Sequence, residues 1–190
     1  HQDTVFAVAF SPDSSLLATA CFDKMVRLWD LRTNTVVATL EGHAAWVTAL
    51  DFSRDGRLLA TAGKDRTVLL WDVASRKQVG RFEGHSQWVN RLMVSPDNSL
   101  VVTAGDDAKA VVWAFPSGKP LLQIQADGPV QAAVFSADGA RLAVLDDTVA
   151  TIYPIRSHLS APVPETLMEK AQRAAGAKLQ GFDLQASDTP

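Results

Sequence analysis

Residues 42–85, GHAAWVTALDFSRDGRLLATAGKDRTVLLWDVASRKQVGRFEGH, carry the pattern on which the reading of the whole chain rests. Their landmarks return at one interval on either side. His1, His43 and His85 lie 42 residues apart, and so do Asp23, Asp65 and Asp107, and Trp29, Trp71 and Trp113. Several residue types sharing one spacing mark an internal repeat, and a period in the forties marks units that stack on one another. Within the unit, turn residues alternate with short apolar runs of period two. Val47–Phe52 reads as a first strand and residues 58–62 as a second, joined by Ser53-Arg54-Asp55-Gly56, whose glycine can take the positive φ of a tight hairpin. Lys64-Asp65-Arg66 turns into Thr67–Asp72, rich in β-branched and apolar residues, and residues 77–82 form a more polar fourth strand suited to an outer edge.

The Gly42-His43 pair, the turn residue Asp65 and the Trp71-Asp72 pair closing the third strand resemble the WD-repeat β-propeller family. The resemblance extends from residue 1 to about residue 155. It implies an all-β fold in which each repeat is one twisted four-stranded antiparallel blade, packed radially around a channel. The expected segment has four blades, at about 1–41, 42–83, 84–125 and 126–155, the fourth degenerate and incomplete.

Departures from the pattern follow the chain. Ser14 takes the slot of Gly56 in the first hairpin, where a retained positive φ would cost about 1 kcal/mol, and the more tolerant Asn98 takes it in the third. Ala114 replaces the Asp of the Trp-Asp pair in the third repeat. In the fourth, Asp127-Gly128 replaces Gly-His, Ala143 stands in the expected Thr slot and Tyr153 in the Trp slot, while Ser136-Ala137-Asp138-Gly139 still marks a hairpin. No fourth strand is expected there, because SHLSAPVP (157–164) places prolines where ladder donors are needed. Propellers of this family commonly complete the last blade with an N-terminal strand, and the resemblance implies that such a donor lies outside this sequence. Residues 156–190 read as a linker, an amphipathic helix over 165–175 with Leu167, Met168, Ala171 and Ala174 at helical spacing, and a frayed tail. A helix after the last repeat is similar to the tails of bacterial multi-repeat sensor proteins, and a first residue that is His rather than Met suggests an excerpt of a longer protein.

Composition narrows the function classes. A net charge of −3 over 190 residues, with Lys and Arg scattered, offers no basic field for nucleic acid. No run approaches the about 18 apolar residues of a membrane span. The single cysteine, Cys21, sits in the slot of Gly63 and Gly105 and reads as a small core filler, which fits a reducing, cytoplasmic setting.

Two sets of residues stand out. The first is His, Thr, Asp and Trp once per repeat: His1, Thr19, Asp23 and Trp29; His43, Thr61, Asp65 and Trp71; His85, Thr103, Asp107 and Trp113. A hydrolase could place such residues in a catalytic triad. The family resemblance instead implies a structural brace, Asp to His to Thr to Trp, repeated because every blade needs one, whereas catalysis needs one site. The histidines fall in successive repeats, too far apart for a shared metal, and no cofactor cradle is present. The second set lies where the resemblance places the top rim: Trp46 and Trp88 three positions after the repeat His, with Thr4 at the same position in the first repeat, and the residues preceding the turn Asp, namely Phe22, Lys64, Asp106 and Asp146. Exposed tryptophans on a rigid rim are interaction anchors; equally, each indole could pack on its neighbouring blade. Three functions follow: a non-catalytic scaffold for a protein or peptide partner within a larger signalling protein, a half-ring that pairs with a second copy into eight blades, or a propeller-based hydrolase.

Overall fold

A computed structural model describes residues 1–155 and the pair 179–180. The first sheet holds β1 (Val5–Phe10), β2 (Leu16–Cys21), β3 (Val26–Asp30) and β4 (Thr35–Leu40) in sequence order. The second holds β5 (Val47–Phe52), β6 (Leu58–Gly63), β7 (Thr67–Asp72) and β8 (Lys77–Glu83). The third holds β9 (Val89–Val94), β10 (Leu100–Gly105), β11 (Lys109–Ala114) and β12 (Pro120–Gln125). The fourth has three described strands, β13 (Ala132–Phe135), β14 (Arg141–Leu145) and β15 (Ala150–Pro154). All neighbouring strands are antiparallel. A two-residue strand, β16 (Leu179–Gln180), adds to the free edge of β12, in the third sheet rather than the fourth. The helix expected at 165–175 lies outside the described residues, as does the tail after it apart from residues 179–180.

Packing of one sheet on the next explains the apolar runs. Ala18, Ala20, Val26 and Leu28 of the first sheet meet Leu50, Phe52, Leu59, Leu69 and Trp71 of the second. Ala60, Ala62, Val68 and Leu70 on the other face of the second meet Leu92, Val94, Val101, Val111 and Trp113 of the third. Val102, Ala104 and Val112 then meet Ala133, Phe135, Leu142, Val144 and Tyr153. Each interior sheet is therefore buried on both faces, and small alanines on one face leave room for the large ring of the next.

The outermost faces have no such neighbour among the described residues. Phe10 is 64% exposed although its counterpart Phe52 is 2% exposed, and Ile152 is 64% exposed although its counterpart Val112 is fully buried.

The hairpins obey local chemistry. Ser14, Gly56, Asn98 and Gly139 all take positive φ, between 57° and 71°. Ser11, Ser53, Ser95 and Ser136 donate to Asp13, Asp55, Asp97 and Asp138, and their hydroxyls accept the N–H that opens the next strand. Lys24, Arg66 and Ala108 also take positive φ, in turns where no glycine advertises it. In the first two, the Asp before the strained residue accepts the N–H of the residue after it.

The fourth sheet corrects one expectation. Leu142 pairs with Tyr153 as Val101 pairs with Trp113, which makes Val144, not Ala143, the counterpart of Thr103. Six residues separate Val144 from its partner Thr151 where seven separate Thr103 from Val111, so counting back from the aromatic residue misplaces the slot by one.

Candidate functional site

The repeated polar set closes inside each of the first three sheets. In the second, the His43 Nδ1–H donates to Asp65 Oδ2 at 2.8 Å, while Nε2 accepts the Thr61 hydroxyl at 2.8 Å. The Thr61 oxygen in turn accepts the Trp71 indole N–H at 2.9 Å. The third sheet repeats this with His85, Asp107, Thr103 and Trp113, at 3.0, 2.7 and 2.9 Å. In the first, His1 lies 3.3 Å from Asp23 and 2.5 Å from Thr19, which accepts Trp29 at 2.9 Å.

This connectivity is also that of a hydrolytic triad, and burial decides what it can do. Thr61 and Thr103 are fully buried, and their oxygens are engaged by indole donors. A substrate carbonyl cannot reach such a hydroxyl, so the arrangement ties strands together.

The carboxylates in these sets have low pKa values despite their surroundings. Burial alone would raise Asp65, yet the His43 hydrogen bond, with the Ala44 N–H and Thr67 hydroxyl, brings it to about 2. Asp107 is lowered by the same balance through His85 and Ser86. Burial also opposes ionisation of Asp23, where the Arg27 guanidinium and the Gln2 N–H prevail and hold it at about 2.

One cluster could be mistaken for a metal site. Ligand atoms of His1, Cys21 and Asp23 lie within 4.8 Å of one another. Arg27 already donates to Asp23 Oδ2 at 2.7 Å and contacts His1 Nδ1, so a guanidinium occupies the position a cation would need. Cys21 is fully buried, its Sγ against the Asp3 carbonyl and the Asp23 N–H.

The rim residues are brought together by a backbone device repeated in three sheets. The Phe22 N–H donates to the Thr4 carbonyl, Lys64 to Trp46 and Asp106 to Trp88, at 2.8–3.0 Å. Each bond lies just beyond a bulge at the start of the first strand, which fixes the two candidate positions of that sheet side by side. Across sheets, Phe22 stacks on Trp46 with centroids 4.0 Å apart and planes at 12°. The Lys64 ammonium lies 4.2 Å from the Trp46 ring centroid and 3.5 Å from that of Trp88. Trp46 and Trp88 are 39% and 45% exposed, so the indoles touch their neighbours and still present a surface. Asp106 accepts the Asn90 side-chain N–H, whereas Asp146 caps its own turn through Thr148 and Val149 and does not join the others.

Sequence reasoning missed Phe6 and Arg91. Phe6 stacks on Phe22 at 5.4 Å, is 47% exposed, and has the Arg91 guanidinium 6.0 Å from its centroid. The signal was available in part: a large apolar ring stands where the other repeats place the polar Thr48 and Asn90.

The family described as WD domain, G-beta repeat matches residues 1–30, 34–72 and 76–114, more than half of the chain, and the matches end at the third strand of each sheet. The chain belongs to the WD-repeat family. Similar proteins include nuclear distribution protein nudF 1 of Talaromyces marneffei, 45% identical over 47 residues, which is 25% of this chain and 10% of that protein. A probable serine/threonine-protein kinase, PkwA, of Thermomonospora curvata is 51% identical over 43 residues, 23% of this chain and 6% of its own. Coronin-2A of Bos taurus is 45% identical over 47 residues, 24% of this chain and 9% of its own. The chain thus matches a tenth or less of the length of these relatives. Each likeness spans about the length of one repeat.

Proposed function

We propose that this WD-repeat chain is a non-catalytic scaffold that holds a protein or peptide partner on the rim formed by Thr4, Phe22, Trp46, Lys64, Trp88 and Asp106. The supporting observation is that Trp46, stacked on Phe22, and Trp88, under the Lys64 ammonium, each accept a backbone bond within their own sheet and yet remain partly exposed. Rigid, amphipathic side chains lose little entropy on binding, which suits them as anchors. WD repeats typically mediate protein–protein contacts, and a role within a larger signalling protein in the cytoplasm belongs to the same proposal. Cys21, buried and free, is compatible with that setting.

The test replaces Trp46 and Trp88 together by Ala and compares partners captured by the variant and the unaltered chain. Capture should be lost while the melting temperature holds within a few degrees. A collapse of stability would mean that the indoles serve packing alone.

A second reading is favoured by the exposure of Phe10 at one end and Ile152 at the other. Two copies pairing head to tail would bury both faces in a ring of eight sheets, since a heterologous contact closes when the rotation allows. Light scattering would then give twice the chain mass of 20.4 kDa.

A further inference from the structure

We propose, resting on the rim reading above, that the rim selects an acidic, aromatic-bearing linear segment of its partner, with carboxylates placed on Lys64 and Arg91. The rim is a continuous ladder running from Phe6 through Phe22 and Trp46 to Lys64 and Trp88, and Arg91 reaches back over Phe6. Its two cations lie on aromatic faces, an arrangement that orients an ammonium or guanidinium without neutralising it. Among the described residues neither Lys64 nor Arg91 makes an ion pair; the Arg91 guanidinium donates to the Asn90 carbonyl.

The nearby carboxylates are engaged elsewhere. Asp106 accepts from Asn90, Asp3 from the Thr4 N–H, and Asp23, Asp65 and Asp107 belong to the buried braces. The rim therefore offers donors that lack anionic acceptors, beside aromatic rings that remain partly exposed. An incoming lysine or arginine would meet two like charges and find its aromatic faces already covered. An incoming carboxylate would complete a charge-assisted hydrogen bond, with neighbouring aromatic side chains against the parts of Phe6, Trp46 and Trp88 that remain exposed. An extended segment suits this geometry, because its side chains alternate every residue over about 3.3 Å of rise.

The test measures fluorescence anisotropy of short dye-labelled peptides that alternate Phe with Glu, Gln or Lys, added to the whole chain. The Glu peptide should bind at least about tenfold tighter than the Gln peptide, weaken as salt rises, and outcompete the Lys peptide. The double variant Lys64→Glu with Arg91→Glu should reverse the order; the milder Lys64→Gln with Arg91→Gln should abolish the preference, and circular dichroism verifies that both fold. Equal binding of all three peptides, or no binding of the Glu peptide at low salt, overturns the acidic preference. If binding is indifferent to charge yet lost in the Trp46→Ala, Trp88→Ala variant, the rim reading survives and only the partner chemistry fails. If the Glu peptide binds that variant unchanged, the rim is not the site at all.

Discussion

Thr61 has the most demanding position among the residues of the fold. Its single hydroxyl donates to His43 and accepts from Trp71 within a fully buried setting. Replacing it by Val keeps the shape and leaves two ring nitrogens without partners. Each buried polar group so orphaned costs about 1–3 kcal/mol, so Thr61→Val should lower urea-derived stability by about 2 kcal/mol or more. The fourth sheet manages with Val144 in this slot because Tyr153 there brings no indole donor. The brace also has a pH signature. Asp65 titrates at about 2 in the folded chain against an ordinary 3.8, so its contribution is fully present above the ordinary value and is lost as pH falls from about 3.8 towards about 2. Asp65→Asn should be less stable at neutral pH and should show a flatter loss across that acid window, read from thermal melts at stepped pH.

Between elements, the seam joining β5 to β9 carries side-chain links that the repeat pattern does not announce. Asp51 Oδ2 accepts the Val94 N–H at 2.9 Å, the Thr48 hydroxyl donates to the Val89 carbonyl, and the Asn98 amide oxygen accepts the Arg54 N–H. One seam along, Met93 Sδ takes the corresponding N–H from Phe135, a weaker acceptor in the same geometry. Burial pushes the Asp51 carboxyl up, against the Val94 N–H and the Arg54 charge. A carboxyl raised in the folded state holds its proton longer than in the unfolded chain, so stability declines as pH rises through the window that starts at the ordinary 3.8. Asp51→Asn keeps an acceptor for Val94 and removes the buried charge. It should be at least as stable as the unaltered chain at pH 7 and lack that decline in its melting curve, whereas Asp51→Ala should lose stability.

On the scale of the whole molecule, sheets covered on both faces differ sharply from the two that end the arc. Phe52→Ala should cost about 3–5 kcal/mol, the range for a large aromatic removed from a packed core. The matching Phe10→Ala should change the stability of a solitary chain by less than about 1 kcal/mol, because the ring is already largely in water. If two copies pair, the same variant should shift the mass measured by light scattering from dimer to monomer. The contrast between Phe52 and Phe10 thus reports whether the terminal face is covered in solution.

The sequence by itself determined the repeat and its four-strand order, and marked Ser14 and Asn98 as the slots where a positive φ could recur, because these follow from local rules: a two-residue period, a turn that needs a left-handed residue, and landmarks 42 residues apart. It also grouped His, Thr, Asp and Trp into sets, although counting alone put Ala143 where the register puts Val144. Only the tertiary structure decided which exposed groups meet. Phe6, Phe22, Trp46, Lys64 and Trp88 come from three different sheets, and no spacing along one strand encodes a distance between sheets. The seam bond of Asp51 was invisible for the same reason, and only packing put Phe10 and Ile152 on faces with no neighbour among the described residues. Periodicity tells which side of a strand is apolar, and only packing tells whether anything lies against it.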